Sequence, residues 1–184
     1  MTVGTLDLLP ALEHPELLAD PVFALLSTLP PALATSVGVA AIDPDLADTA
    51  AFCERYDVGL DVSANCVIVA GRRGETTSYA ACMVLATTRA DVNGVVRQLL
   101  DARKASFAPM DDAVALSGME YGGITPIGLP AAWPILIDSR IPALPEIVIG
   151  SGLRRSKIVL PGQALAALPG ARVVDGLARP APTN

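Results

Sequence analysis

The sequence has one histidine, His14, and its three cysteines, at positions 53, 66 and 82, form no Cys-x-x-Cys pair. Zinc sites gather several cysteine and histidine ligands, so we expect no metal and no other cofactor. Ser-His-Asp and Cys-His hydrolases need a histidine within hydrogen-bonding distance of the nucleophile. Because His14 lies in an acidic N-terminal segment, both kinds of active site are disfavoured and a surface position is expected for it.

The sequence also lacks a long hydrophobic run. Asp, Pro or Gly interrupts every apolar stretch before it reaches the roughly 18 residues of a membrane span, and MTVGTLDLLP at the start has no basic region. The odd number of widely spaced cysteines fits buried thiols in a reducing compartment better than a disulfide framework. We therefore expect a soluble, cytoplasmic protein that does not contact a membrane.

Lysine and arginine are absent from residues 1–50, which carry seven of the acidic side chains behind the net charge of −6. All 13 basic residues lie in the rest of the chain. The clustering leaves room for a locally positive face there, although each pair taken alone is better explained as ordinary solvated surface charge. The clustered basic residues are Arg72, Arg73, Arg103, Lys104, Arg154, Arg155 and Lys157.

Aromatic residues make up only 4% of the 184 residues, so the core of a single domain should be aliphatic. Prolines divide the helical segment 1–36 into short helices. Residues 177–184 have few apolar side chains to bury and are expected to form a flexible tail. Helices are expected through Ala50 to Tyr56 with Asp45 or Asp48 as the N-cap, after Asp91 as an N-cap, and from Pro109 to Gly118. Strands are expected at 37–42, 65–71, 78–88, 105–107, 133–138, 146–150, 157–160 and 171–176.

The strands outnumber the helices and do not alternate strictly with them. This order indicates an α+β protein with a mixed, curved or closed sheet and helices packed outside it. The runs NCVIVAG and SYAACMVLATT flank GRRGETT and are apolar at odd and even positions alike. They are predicted to be two central strands of a hairpin.

The segment YGGITPIGLP (121–130) contains three glycines and two prolines. A turn between a helix and a strand is the simplest interpretation. Glycines also leave backbone N–H groups accessible, and such groups can cradle a carboxyl, a phosphate or a developing oxyanion. GSGLRRSK (150–157) has no Gly-Lys-Ser/Thr ending and precedes a strand, so it matches neither phosphate-binding nor dinucleotide-binding loops.

Several segments together resemble the YbaK and prolyl-tRNA synthetase-associated domains, which hydrolyse mischarged aminoacyl-tRNA. They are ADVNGVVRQLLDARKASFAPMDDAVALSG, GMEYGGITPIGLP with its Gly-x-x-x-Pro motif at Gly122 to Pro126, PILID, and IVIGSGLRRSKIVL. The resemblance covers roughly residues 37–175. It implies a barrel-like mixed sheet with surrounding helices over residues 37–176, and a pocket between the glycine loop and the start of the strand at 65–70.

The resemblance also implies the site. The loop backbone orients the ester carbonyl and a water, a hydroxyl of the terminal ribose or a group of the substrate assists, and no protein base is required. The tRNA acceptor end is the implied partner, with or without a synthetase. Implied catalytic residues are Gly122, Gly123, Thr125 and Asn65; implied pocket residues are Ile124, Pro126, Gly128, Asp138, Ser139, Gly150, Ser151 and Gly152; implied tRNA contacts are Arg72, Arg73, Arg154 and Lys157.

Two positions depart from the family pattern. Asn65 stands where the family usually has a lysine, and an amide lacks the charge that makes a hydrogen bond roughly twice as strong. Arg155 replaces a usual glycine in the later turn. A binding module that has lost hydrolysis therefore remains the alternative to a deacylase for a small amino acid. Tyr121 and Trp133 are expected to pack in the core or at a rim, and Cys66 and Cys82 are expected in the buried core.

Overall fold

The computed structural model describes residues 3–181, which form three sheets surrounded by short helices. One sheet has five strands in the order β10-β7-β4-β3-β6, one has four in the order β1-β2-β9-β8, and β11 pairs with β5. The strands are β1 (Leu9–Pro10), β2 (Gly38–Ala41), β3 (Ala64–Arg73), β4 (Thr76–Leu85), β5 (Thr88–Ala90), β6 (Lys104–Phe107), β7 (Ile135–Asp138), β8 (Ile147–Gly150), β9 (Ser156–Leu160), β10 (Ala171–Val174) and β11 (Ala178–Pro180).

The hairpin of β3 and β4 forms the centre of the five-stranded sheet, as the two apolar runs predict. The strands pair antiparallel from Ala64–Leu85 to Arg73–Thr76. Gly74 has a φ of +61° in the turn that joins them, a conformation that suits glycine. The hairpin is flanked by β6 on one side and by the parallel strand β7 on the other, so both of its strands are interior.

The two larger sheets do not close into the barrel that the family resemblance implies. Between residues 3 and 181, the one strand bridge that links them is the parallel bridge of Ser63, just before β3, with Val148 in β8. The mixed α+β architecture is confirmed, but the sheet is divided in two. The division matters for the site, because it places the start of β3 beside the end of β8.

The helices are short and start at the predicted caps. They are α1 (Asp20–Leu26), α2 (Pro31–Ala34), α3 (Thr49–Tyr56), α4 (Arg97–Leu99), α5 (Met110–Ser117) and α6 (Gly162–Ala166), with single 3-10 turns at Ala11–Glu13, Pro15–Leu17 and Pro44–Leu46. Asp48 caps α3, and Gly118 ends α5 in the left-handed conformation. The helix predicted after Asp91 begins with a π-helical turn, Val92–Val96, and ends sooner than the apolar pattern suggests.

The N-terminal segment packs on the main core through Val22 and Leu26, which are both almost fully buried beside Ile137 and Ile149. A second cluster around Phe52 lies between α3 and the four-stranded sheet, and a third lies on the other face of the five-stranded sheet. Aliphatic side chains make up most of all three clusters, as composition predicts. No helix within residues 3–181 has the length and apolar character needed to cross a membrane.

The C-terminal segment departs from the flexible tail expected at 177–184. Leu177 is fully buried in the third cluster, and β11 pairs antiparallel with β5. Arg179 also forms a salt bridge with Asp91. One buried leucine and an available strand edge are enough to order this segment through Ala181, and residues 182–184 of the expected tail lie outside the described residues.

Candidate functional site

A cavity of about 520 Å³ lies between the glycine loop, the start of β3 and the N-terminus of α3. It opens beside the point where the two larger sheets meet. The exposed side chains of Phe107, Met110 and Tyr121 stand at its mouth. The remaining lining residues are Ala47, Asp48, Thr49, Ala64, Asn65, Cys66, Val67, Ile68, Ala108, Ala113, Gly122, Ile124, Gly150, Arg154 and Lys157.

The glycine loop is held against the turn that follows β8. Glu120 N–H donates to Gly152 O at 2.9 Å, and Gly152 N–H donates to Gly123 O at 2.7 Å. The Glu120 carboxylate accepts a further bond from the Arg154 backbone N–H at 2.6 Å. These bonds fix the loop from both sides, although the two segments are distant in sequence.

Two glycines allow this close approach. A Cβ on Gly150 would lie 2.3 Å from Gly123 O, so any side chain at the end of β8 would push the glycine loop away. Gly122 has a φ of +82°, and a Cβ there would lie 2.7 Å from Arg154 Nη1. Gly122 therefore suits glycine because of its φ, as in an ordinary turn, whereas Gly150 requires glycine because the backbone of another segment approaches it closely.

Two residues of the loop that line the cavity have backbone N–H groups without a protein partner among the described residues. Gly122 and Ile124 both line the cavity, and neither N–H group donates to a protein acceptor within the described part of the chain. The N–H of Gly123 is used in the turn by Glu120 O. Two free N–H groups separated by one residue form the kind of cradle that binds a carbonyl oxygen or an oxyanion.

Asn65 faces this loop from the start of β3. Its Oδ1 accepts a hydrogen bond from the Thr49 hydroxyl at 2.7 Å. The amide NH₂ group is then the part of Asn65 that remains available for a ligand.

Two basic side chains line the cavity. Arg154 donates from Nη1 to Tyr121 O and from Nη2 to Pro44 O, and it thereby joins the two loops on either side. Lys157 is only 8% exposed, and its Nζ donates to Ala47 O at 3.1 Å. Burial lowers the pKa of Lys157; Cys53 and Asp48 oppose this decrease in part, and the charge of Arg154 makes the smallest contribution, a further decrease.

Asp48 provides the one carboxylate among the described lining residues, and its Oδ1 accepts the N–H of Ala50 as the cap of α3. Cys66 also reaches the cavity wall. Burial raises the pKa of its thiol well above the ordinary range and that of Cys82 to about 12, so both stay protonated at neutral pH. The lining therefore holds no activated thiolate.

Several residues implied by the resemblance lie outside the cavity lining. Thr125 is fully buried, and its Oγ1 has no hydrogen-bond partner. Gly123 packs on the backbone of Leu153, and Gly128 packs on that of Pro21. These residues, with Pro126 beside Thr125, lie on the side of the loop that packs against the protein. Gly122 and Ile124 line the cavity.

Asp138 and Ser139 are also remote from the cavity lining. Asp138 is 1% exposed and accepts two hydrogen bonds from the Arg140 guanidinium, at 2.7 and 2.6 Å. Burial opposes ionisation, but the bonds from Arg140 and the backbone outweigh it and lower the pKa of Asp138. Arg140 also donates to Ala178 O, so this pair attaches β11 to the end of β7. Ser139 N–H donates to Val174 O of β10.

Ser151 and Gly152 shape the second glycine turn. The Ser151 hydroxyl is fully buried and pairs with the Ser156 hydroxyl at 2.7 Å. A Cβ on Gly152 would lie 2.4 Å from Ala19 Cβ, so this glycine accommodates the N-terminal segment. Neither residue lines the cavity.

The basic residues expected to contact tRNA occupy separate regions. Arg72 and Arg73 are exposed at the far end of the β3 hairpin, roughly 23 Å along the strand from Asn65. Arg73 is paired with Asp101. Arg154 and Lys157 lie in the cavity instead. His14 is outside it and contacts Glu16 at 3.0 Å.

Sequence reasoning missed Asp48 and Thr49 as cavity residues and Phe107 and Met110 as rim residues. The signal at Asp48 is its helix-capping position, which places it at the start of α3. The signal at Phe107 is an aromatic residue on an edge strand, where no neighbouring strand buries its side chain. Trp133, expected to pack, stacks on Tyr79 with ring centroids 5.0 Å apart. Tyr121 is 60% exposed at the mouth of the cavity, so of the two expected positions, core or rim, it occupies the rim.

Comparisons with known proteins agree with the fold. A crystal structure described as a candidate trans-editing enzyme for prolyl tRNA synthetase is 20% identical, with a TM-score of 0.70 over 85% of this chain and 94% of that one. The structure of a hypothetical protein is 17% identical, with a TM-score of 0.70 over 80% and 95% of the chains. A scaffold structure from epitope grafting is 21% identical at the same TM-score, over 85% and 95%.

No curated protein matches the chain significantly. The sequence does match the profile of the aminoacyl-tRNA editing domain over residues 43–168, which is more than half of the chain. That range contains the glycine loop, the start of β3, the second glycine turn and Lys157. The chain therefore belongs to the aminoacyl-tRNA editing domain family.

Proposed function

We propose that the protein is an aminoacyl-tRNA deacylase that hydrolyses the ester of a small mischarged amino acid. The observation that carries this proposal is that Gly122 and Ile124 both line a cavity of about 520 Å³ while their backbone N–H groups have no protein acceptor within the described residues. An ester carbonyl placed there accepts hydrogen bonds from fixed donors, which strengthen as negative charge develops on its oxygen.

The remaining walls suit a small aminoacyl group. Ala64, Ile68, Ala108 and Ala113 make one side apolar, and the Asn65 amide can donate from the opposite side to the loop. Water attacks the carbonyl with help from a hydroxyl of the terminal ribose or from the substrate itself. This route fits a cavity in which no described histidine or thiolate is available as a base.

The test is a deacylation time course with tRNA mischarged with alanine, serine or cysteine. We expect the natural sequence to release the amino acid, and Gly122→Val to abolish release while still unfolding cooperatively. Full activity of Gly122→Val would remove the loop from the mechanism. A valine at a φ of +82° is strained, and its side chain would also displace the guanidinium of Arg154.

A binding module without hydrolysis is the second candidate, and the uncharged Asn65 on the cavity wall favours it. In that case tRNA binds with a steep salt dependence, as phosphate contacts require, and no amino acid is released. Filter binding at several salt concentrations, run beside the time course, separates the two functions.

A further inference from the structure

Lys157 is a buried cation without an ionic partner. It lies in β9, is 8% exposed, and forms no salt bridge with any carboxylate of the described chain. An ammonium group has three N–H donors, and only one of them is used, by Ala47 O. Two donors are therefore left beside the cavity.

The protein compensates this charge only in part. The Phe52 ring lies 5.2 Å from Nζ, close enough for a cation–π contact, and the other partner is a neutral carbonyl. Of the nearby charges, Asp48 attracts the ammonium group and Arg154 repels it more weakly, but no described carboxylate forms a salt bridge with it. A buried charge without a salt-bridge partner carries a desolvation cost that an apolar side chain at this position would avoid.

The strand register places this ammonium group in the proposed catalytic site. Lys157 pairs with Gly150 across β8 and β9, and Gly150 supports the carbonyl of Gly123 in the glycine loop. The bridge between Ser63 and Val148 brings the start of β3 alongside β8. Asn65, Gly150 and Lys157 consequently line one cavity from three neighbouring strands.

We propose that Lys157 binds an oxygen of the aminoacylated 3′ end, supplying from β9 the positive charge that Asn65 lacks on β3. This inference rests on the proposed function for the identity of the ligand. Two oxygens have the required chemistry: the carbonyl of the aminoacyl group and the phosphate of the terminal nucleotide. A charge-assisted hydrogen bond to either is stronger than a bond from an amide.

The test uses two non-hydrolysable ligands, 3′-alanylamido-3′-deoxyadenosine with and without a 5′-phosphate, and calorimetric titration. For Lys157→Met we expect at least tenfold weaker binding of the phosphorylated ligand. If the unphosphorylated ligand weakens equally, the lysine binds the carbonyl; if only the phosphorylated ligand weakens, it binds the phosphate. Asn65→Lys combined with Lys157→Met should restore most of the affinity.

A second measurement distinguishes ligand binding from a structural role. Methionine keeps the aliphatic volume of the lysine and removes the buried charge, so the unfolding midpoint of Lys157→Met should equal or exceed that of the natural sequence. If Lys157→Met fails to fold, Lys157→Gln takes its place in the titrations. Unchanged binding of both ligands, or no binding of either by the natural sequence, would overturn the proposal.

The deacylase proposal and the proposal for Lys157 can be contradicted independently of each other. Lysine-dependent binding of the ligands without release of amino acid from mischarged tRNA contradicts catalysis and supports the role of Lys157. Release that is equally fast in Lys157→Met, with unchanged affinity for both ligands, supports catalysis and contradicts the role of Lys157.

Discussion

The hydroxyl of Thr49 donates a hydrogen bond to Asn65 Oδ1 over 2.7 Å and thereby joins the N-terminus of α3 to the start of β3. A hydroxyl that donates to Oδ1 turns the NH₂ group of Asn65 away from the helix. Asn65 is thus a hydrogen-bond donor on the cavity wall, with its acceptor already in use.

Removing this bond should misorient Asn65. For Thr49→Val we expect deacylation to slow roughly two- to tenfold, because one hydrogen bond contributes about 0.5–1.5 kcal/mol. Thr49→Ser keeps the hydroxyl and should stay close to the natural rate. Single-turnover deacylation of alanyl-tRNA measures both variants, and equal rates for valine and serine would show that Thr49 does not position Asn65.

Asp48 tests whether a protein carboxylate acts as the base. Asn caps a helix as well as Asp does, so Asp48→Asn removes the negative charge and leaves the start of α3 intact. With water activated by the substrate, we expect the rate to change less than about threefold. A loss of a hundredfold or more, in the range attributed to general base catalysis, would assign that role to Asp48.

Gly150→Ala should disturb the glycine loop directly. The new methyl group would meet Gly123 O, and overpacking of this kind costs typically 1–3 kcal/mol of stability. Deacylation should fall at least tenfold at a temperature where the variant is fully folded. Gly38→Ala is the matched control, because Gly38 also lies in a strand without a positive φ, and a Cβ there would meet its nearest neighbours at 3.6 to 3.7 Å, an ordinary contact. Equal activity of the two alanine variants would argue against loop displacement.

The charge of Lys157 should make its effect on stability depend on pH. Its pKa is lower in the folded chain than in the unfolded chain, so the unfolded state binds more protons between the two values and stability rises with pH there. Any stability advantage of Lys157→Met over the natural sequence should therefore be largest below the folded pKa and shrink as the pH approaches about 10.4, the ordinary lysine value. Urea unfolding of both proteins at a series of pH values measures this stability advantage. A difference in unfolding free energy that does not change with pH would contradict a lowered pKa of Lys157.

Asp138 should stabilise the fold without affecting chemistry. For Asp138→Asn we expect a loss of about 1–3 kcal/mol and faster amide exchange in β11, because Arg140 loses a charged partner. The lowered pKa of Asp138 means that its stabilisation is present above the ordinary value near 3.9 and is lost as the pH falls through the folded value. The difference in unfolding free energy between Asp138→Asn and the natural sequence should therefore shrink as the pH falls through that range. A deacylation defect in the folded variant would indicate a link to the cavity.

Local signals predicted most of the elements. Asp48, Pro109 and Gly118 mark helix ends through contacts within a few residues, and the two apolar runs around Gly74 define a hairpin. The glycine loop was recognisable because glycine and proline constrain the backbone wherever they occur. These features require no knowledge of which strands pair across the fold.

The position of Lys157 could not be predicted in the same way. Its charged neighbours in sequence, Arg154 and Arg155, suggested a surface cluster. Only the pairing of β9 with β8 and β2 turns this lysine toward Phe52 and the cavity. Leu177 was missed for a similar reason, because the edge of β5 that accepts the following strand is formed almost ninety residues earlier.

The hydrogen bond from Gly152 to Gly123 has a consequence for substrate selection. Because this bond holds the glycine loop against the turn after β8, the loop has little freedom to move toward one amino acid and away from another. Discrimination among amino acids would then be steric, with the wall formed by Cys66, Ile68 and Ala113 acting as a size limit. Larger or smaller side chains at those positions would change which amino acids fit, while the glycine loop proposed to bind the ester carbonyl would stay the same.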